Sequence, residues 1–294
     1  MGGNLFFAGT GAVLETVGVE IDDALLFGWQ ARVERARRHL GWDRTSPGSP
    51  LAPAVVARRH ATGVSLAVQA PIDQLFTATE LNEWALCATV FERDPVRWAN
   101  VAVDLLADYL EDANDPADVI PPVLEEHAAL ARLAVRAASE RRPDVVALIE
   151  AASAHDVGHL LDETTLTLGA GKGSRSWALD ALPGVDEVAW DSLRTIPIAA
   201  VTGSNGKTTT VRLVAACARA HGWCDGFNCT DGVFIGRKAV ASGYYSGPAG
   251  TRLVLRDTSV EAAVLETARG GILRRGLAAD RADVAVVTNI SPDH

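Results

Sequence analysis

Residues 196–222 read IPIAAVTGSNGKTTTVRLVAACARAHG, and the fold of the C-terminal part follows from how this stretch divides. Residues 196–201 are apolar with no polar alternation, the pattern of a strand covered on both faces. From Val211 onward, Leu213, Val214, Cys217 and Ala218 recur at helical spacing. Between the two lies TGSNGKTTT, so glycines and a lysine fall at a strand-to-helix turn. Backbone N–H groups in such a turn point inward, and the helix N-terminus adds positive potential; both suit a polyphosphate. Gly203 and Gly206 allow close backbone approach, with Ser204 and Asn205 between them. Lys207 can bridge terminal phosphates and Thr208 offers a hydroxyl to Mg²⁺, so Gly203, Ser204, Asn205, Gly206, Lys207, Thr208 and Thr209 are the expected nucleotide-binding loop. The general pattern is G-x-x-x-x-G-K-[ST]. Val201 stands where its first glycine would be, which leaves the shorter G-x-x-G-K-T. The chain has only three lysines, Lys172, Lys207 and Lys238, and a glycine turn with an idle lysine does not explain why one of them falls here.

Working outward, short apolar runs alternate with helical ones: strand 196–201, helix 207–221, hairpin 233–241, strand 262–266, helix 270–277 and strand 283–289. Such alternation predicts an α/β fold, a P-loop-containing, mostly parallel sheet flanked by helices, over residues 194–294. Residues 1–193 read as an α+β N-terminal region, divisible near 115. Its helices are expected at 20–42, after Pro71 and Asp73 through 75–90, at 96–112 and at 116–142, with a strand at 64–68 and strands and turns over 158–184. Gly169, Gly171 and Gly173 surround Lys172; the turn either contacts an anion through its amides or serves geometry alone. Arg35, Arg37 and Arg38 read as a solvated face at a helix C-terminus, where the dipole favours cations, with an anion site as the alternative.

The net charge of −10 disfavours a general nucleic-acid binder. No apolar run approaches the roughly 18 residues of a membrane span, and MGGNLFFAGTGAV lacks the basic start and long apolar run of a signal peptide. A cytoplasmic enzyme is expected. Cys87, Cys217, Cys224 and Cys229 form no zinc pattern and read as reduced thiols. The last residues, VVTNISPDH, follow directly on a strand, so the sequence is expected to be part of a longer chain.

Two further segments bear on chemistry. Residues 262–271, AAVLETARGG, bring Glu266 to the C-terminal end of a strand. Residues 284–294, VAVVTNISPDH, bring Asn289 to the end of another, with Asp293 and His294 after a turn. In open α/β sheets ligands gather outside the carboxyl ends of the strands. The loop at 203–208, Glu266 and His294 are therefore expected on one edge, where a carboxylate and an imidazole facing a triphosphate are metal ligands, direct or through water.

GxxGKTTT, TDG (Thr230 to Gly232), SGP (Ser246 to Pro248), ETARGGILRRGL (Glu266 to Leu277) and TNIxxDH, in this order and spacing, resemble the central ATPase domain of the Mur ligase superfamily, and within it the Mur-type half of the cyanophycin synthetases. The resemblance covers residues 194–294. Upstream, LGAGKGSRSW is similar to a string near the start of their ATP-grasp region, but no full ATP-grasp domain fits before the glycine loop. The resemblance implies an ATP-dependent carboxylate–amine ligase working through an acyl phosphate. It implies that Lys207 holds the β- and γ-phosphates and Thr208 one Mg²⁺. Glu266 and His294 organise the metal that meets the substrate carboxylate, and Lys207, Glu266 and His294 are the catalytic set. Thr230 and Asn289 support the nucleotide pocket, and Arg269 meets an anionic substrate. Family members continue into a lysine, usually carbamylated, and a further domain, so this chain alone is expected to bind ATP weakly and not to ligate. The expected cofactors are ATP and Mg²⁺. Amino-acid or peptide substrates are expected, with no nucleic acid and no membrane, and self-association into a homo-oligomer stays open. A non-catalytic nucleotide-binding scaffold and a P-loop phosphotransferase are the alternative functions.

Overall fold

The computed structural model describes residues 4–7, 9–17, 21–43, 53–96, 124–279 and 281–291. The chain forms two compact units, Phe6–Arg141 and a second built from Arg142–His294 together with Met1–Leu5.

In the first unit, β1 (Gly11–Val17), β2 (Val55–His60) and β3 (Gly63–Gln69) make an antiparallel sheet in the order β1-β3-β2. Helices α1 (Asp23–His39), α2 (Leu75–Arg93) and α3 (Glu126–Glu140) accompany it. Alternation along the strands sends Ala12, Val64, Leu66 and Val68 into one core with Trp29 and Val33 of α1 and Leu81 and Trp84 of α2. The Asp22 carboxylate accepts from the Leu25 amide at 2.9 Å and so starts α1. Polar atoms inside this core are paired: Trp29 Nε1 donates to Asn82 Oδ1 at 2.9 Å, and Asn82 Nδ2 to the Leu66 carbonyl at 2.8 Å. The arginine cluster is not a uniformly solvated face. Arg37 is buried and donates to the Gln69 carbonyl at 3.1 Å, while Arg35 makes a two-pronged ion pair with Glu126. The expected helix 96–112 and the division near 115 lie outside the described residues.

The expected helix 116–142 stops at Glu140. Pro143 has no N–H to continue the ladder and instead opens α4 (Pro143–Ala154) at its first turn. An antiparallel sheet of β4 (His159–Leu161), β5 (Thr165–Leu168) and β6 (Arg175–Ala178) follows, in the order β4-β5-β6.

The second unit continues with β7 (Ile198–Thr202), α5 (Lys207–Ala220), β8 (Asp225–Cys229), β9 (Gly232–Ile235), β10 (Lys238–Ser242), α6 (Pro248–Arg256), β11 (Ala262–Glu266), α7 (Arg269–Arg275) and β12 (Val284–Val287). Among the described residues six strands form one sheet in the order β10-β9-β8-β11-β7-β12. β8, β11, β7 and β12 run parallel, and the β9–β10 hairpin adds an antiparallel margin. The mostly parallel α/β sheet expected for this part of the chain is present.

The boundary differs from the expected one at 193, because residues 142–193 share the core of this sheet. Leu160 and Ala170 cluster with Ile196, Ile198, Val254, Val260 and Leu265. Arg256, the last residue of α6, reaches into the small sheet to donate to Thr167 Oγ1 at 3.0 Å and to pair with Asp162. The Gly169–Gly173 turn resolves towards geometry: Lys172 N donates to the Val260 carbonyl at 2.7 Å, and Lys172 Nζ pairs with Glu261 at 2.8 Å. A Cβ at Gly171, where φ is +55°, would lie 2.4 Å from the Val260 carbonyl oxygen. Among the described residues no helix is long and apolar enough to cross a membrane.

Candidate functional site

Because β7, β8, β11 and β12 are parallel, their C-terminal ends share one edge of the sheet, and the chain leaves each with a polar residue. β7 runs into the glycine loop. Gly203 adopts φ +137°, and a Cβ there would sit 2.1 Å from Thr288 Oγ1, so the loop can pass the end of β12 only with glycine. Gly206 is the N-cap of α5 at φ +80°, ψ 0°, a left-handed conformation that reverses the chain into the helix. The first bond of the helical ladder runs from Thr210 N to the Gly206 carbonyl at 2.9 Å, so the amides of Lys207, Thr208 and Thr209 stand at the helix start without intrahelical acceptors.

The two halves of the loop have different tasks. Ser204 N donates to the Asn289 carbonyl at 3.0 Å, and Asn205 N to Asn289 Oδ1 at 2.9 Å. Ser291 N donates to Ser204 Oγ at 3.0 Å, and Thr288 Oγ1 to the Asn205 carbonyl at 2.6 Å. Ser204, Asn205 and Asn289 therefore build and hold the loop, and the amides of residues 207–209 remain for a ligand. Lys207 Nζ folds back over the loop, 2.8 Å from the Gly203 carbonyl and 3.0 Å from that of Ser204.

Glu266 is the last residue of β11 and is fully buried. Its Oε2 accepts from Thr208 Oγ1 at 2.8 Å, and Thr208 Oγ1 lies 3.2 Å from Thr230 Oγ1, just past the end of β8. Its Oε1 is buried and has no hydrogen-bond partner among the described residues. Burial, with a smaller push from the Asp231 charge, raises the Glu266 pKa above the ordinary glutamate value, against the Thr208 hydrogen bond, the positive charge of Lys207 and the nearby Thr230 amide, which lower it. A carboxylate so placed is a receptor for positive charge.

The structure thus brings Gly203, Gly206, Lys207, Thr208, Thr230 and Glu266 together, with Ser204, Asn205 and Asn289 as their support. Thr209 is exposed on the first turn of α5, and Arg269 is exposed at the start of α7. His294 lies outside the described residues. The sequence reading missed Thr288 and Ser291, whose contacts run to the loop's own backbone and side chains and so follow no motif. It also missed Asn228, buried in β8, whose Nδ2 donates to the carbonyls of Tyr245 at 2.7 Å and Glu266 at 2.9 Å. An amide side chain inside a buried strand was the available signal for it.

Comparison with known proteins agrees with this arrangement. Residues 201–294 match the family model of the Mur ligase middle domain. A cyanophycin synthetase of Crocosphaera subtropica is 52% identical over 99 residues, and one of Synechocystis is 54% identical over 99 residues; each alignment takes in 34% of this chain and 11% of the relative. A UDP-N-acetylmuramoyl-L-alanyl-D-glutamate–2,6-diaminopimelate ligase of Leptospira borgpetersenii is 30% identical over 105 residues, 34% of this chain and 21% of the relative. The chain therefore aligns with a small part of each relative's length. Within that part, residues 201–294, which carry the glycine loop and the buried Glu266, are similar to the Mur ligase middle domain.

Proposed function

We propose that this sheet edge binds ATP with Mg²⁺ and serves an ATP-dependent carboxylate–amine ligase that works through an acyl phosphate. The observation that carries the reading is the Thr208–Glu266 hydrogen bond: a hydroxyl at the start of α5 and a fully buried carboxylate, one oxygen of which has no partner among the described residues. Buried acceptors of this kind are rare unless a ligand completes them, and a hard divalent cation takes oxygen ligands of this type. The glycine loop fits the anionic half of the pair, since it offers amides at a helix start beside a lysine. Mg²⁺, when bound, neutralises charge building on the phosphates.

The chain's own residues then have distinct roles. The amides of Lys207, Thr208 and Thr209 orient the phosphates, and Lys207 Nζ exchanges its two carbonyl partners for phosphate oxygens. Glu266, through Thr208, fixes the position of the cation. A substrate carboxylate attacks the γ-phosphorus, the bond to the β-phosphate oxygen breaks, and ADP leaves. An amine then attacks the acyl carbon, the C–O bond to phosphate breaks, and the amine gives up a proton. Holding two anions in line is the main demand of the first step, and positioning together with fixed positive charge meets it. Amino acids or peptides supply both groups, as the similarity to amino-acid ligases suggests.

Incubating the protein with MgATP, a panel of amino acids and hydroxylamine tests this. Hydroxamate formation that requires one particular amino acid supports the acyl phosphate. Stable phosphate transfer to an acceptor without hydroxamate would replace the reading with a phosphotransferase, and MgATP affinity that Glu266→Ala leaves unchanged would replace it with a scaffold.

A further inference from the structure

A half-open cavity lies in the same compact unit, at the opposite edge of the large sheet from the glycine loop. Its volume is about 270 Å³. Its wall includes Ile149 of α4, Ile198 at the first position of β7, and Leu255 of α6. Ile198 and Leu255 are buried, so the wall is firm and apolar. Thr195 also lines it, with its hydroxyl oxygen turned out of reach of the cavity. At the rim stand one anion and one cation, both on the cavity lining: Arg281 Nη1 donates to Asp156 Oδ1 at 2.7 Å and Nη2 to the Asp156 carbonyl at 3.0 Å. Asp156 is the one non-glycine residue with positive φ, +57°, among the described residues, so its side chain is presented from a conformation that few residues adopt. The neighbouring guanidinium holds the Asp156 carboxyl below the usual aspartate pKa, and it is an anion at neutral pH.

Drug-sized ligands occupy sites of roughly 300–1,000 Å³, so this cavity suits something smaller. A wholly apolar ligand would leave the rim charges unused, and a simple anion would leave the apolar wall unused. An aliphatic α-amino acid matches both: an apolar side chain for the wall, and a carboxylate and an ammonium one bond from the same carbon for the rim. Addition of that zwitterion to the Asp156–Arg281 pair gives alternating charges without net charge, since a carboxylate has about four lone-pair sites and a guanidinium a fork of five N–H donors. We propose that this cavity is a binding site for a free aliphatic α-amino acid, with its side chain against Ile149, Ile198 and Leu255, its carboxylate on Arg281 and its ammonium on Asp156. The site is separate from the nucleotide edge and does not depend on the ligase reading.

The test is calorimetric titration of the full 294-residue chain with L-leucine and L-valine, with thermal melts as a second measure. The expected result is saturable binding in the millimolar range, with a Tm that rises with ligand concentration. Leucinamide lacks the carboxylate and 4-methylpentanoate lacks the ammonium; each is expected to bind at least about tenfold more weakly. Arg281→Gln, at the exposed rim, should weaken leucine binding by a similar factor, and Ile149→Trp, which fills the cavity, should abolish it. Lys207→Ala should leave leucine binding unchanged while it impairs nucleotide binding, which separates this site from the other. Absence of binding by both amino acids overturns the proposal, as does leucine binding that both Arg281→Gln and Ile149→Trp leave intact.

Discussion

The turns at residues 169–173 and 203–208 look alike on paper. Each follows a strand and sets glycines beside a lysine, and both lie in one compact unit. Their surroundings differ where each turn ends. At 169–173 the space in front of the glycines is filled by the protein itself: a Cβ at Gly169 would meet the Gly173 carbonyl oxygen at 2.3 Å, and one at Gly173 the Arg194 carbonyl oxygen at 2.4 Å. Lys172 is committed to Glu261. At 203–208 only the first glycine is crowded, a Cβ at Gly203 meeting Thr288 Oγ1 at 2.1 Å, whereas one at Gly206 would meet nothing within 4 Å; the 14-residue helix α5 follows rather than a strand, and Lys207 Nζ donates to the Gly203 and Ser204 carbonyls of its own loop. Glycine with lysine is thus a packing device at 169–173, where a strand follows, and fits the proposed ligand cradle at 203–208, where a helix leaves amides without intrahelical acceptors.

The largest effect that would break this comparison is at Lys207. Lys207→Ala is expected to lower ATP affinity by about 100-fold or more, roughly 3 kcal/mol, through loss of a charged phosphate contact, with Tm unchanged. Titration with a fluorescent ATP analogue measures it, and wild-type affinity in the variant would erase the distinction between the two turns. Gly171→Ala is expected to act the other way. Crowding against the Val260 carbonyl and Ile196, at a positive φ, should cost about 2–3 kcal/mol of stability in chemical denaturation, with nucleotide affinity kept by the folded fraction.

A smaller effect sharpens the contrast at Glu266. Its pKa is raised in the folded chain, so its contribution to stability is full below the ordinary glutamate pKa and is lost as pH rises through the raised value. Glu266→Gln removes that loss. The variant is expected to be about 1 kcal/mol more stable than the parent at neutral pH, with the gain vanishing towards pH 4, while the Mg²⁺ dependence of nucleotide binding disappears. Melts of both proteins across that range check the sign. The smallest effect belongs to Lys172→Ala: its half-exposed ion pair is worth under about 1 kcal/mol and less in high salt, and ATP titration should not register it.

The sequence made the large sheet legible where strands were wholly apolar, as in residues 196–201 and 262–266, and where a turn had a mechanism. It concealed β8. DGFNC looks like a loop, but Asp225 is neutralised by a two-pronged pair with Arg219 and Asn228 is bonded to two carbonyls, so both polar residues sit inside the sheet. The Asn228 partners, 17 and 38 residues further along the chain, leave no local pattern, and the Arg219 that pairs with Asp225 sits on the preceding helix. α6 was hidden likewise, since PAGTRLVLR is short and opens on proline and glycine. In the site, the residues that belong to the loop motif were readable, together with Glu266, because a strand's end is a fixed address. Thr288 and Ser291 were not, since their role depends on where β12 falls beside β7.

That placement of β12 has a mechanical consequence. Four hydrogen bonds stitch residues 288–291 to Ser204 and Asn205, so the glycine loop and the stretch after β12 form one stiff body. On the proposed reading, phosphate binding that shifts the loop would be felt by residues 288–291, and by thermodynamic reciprocity a change there would alter phosphate affinity by the same free energy.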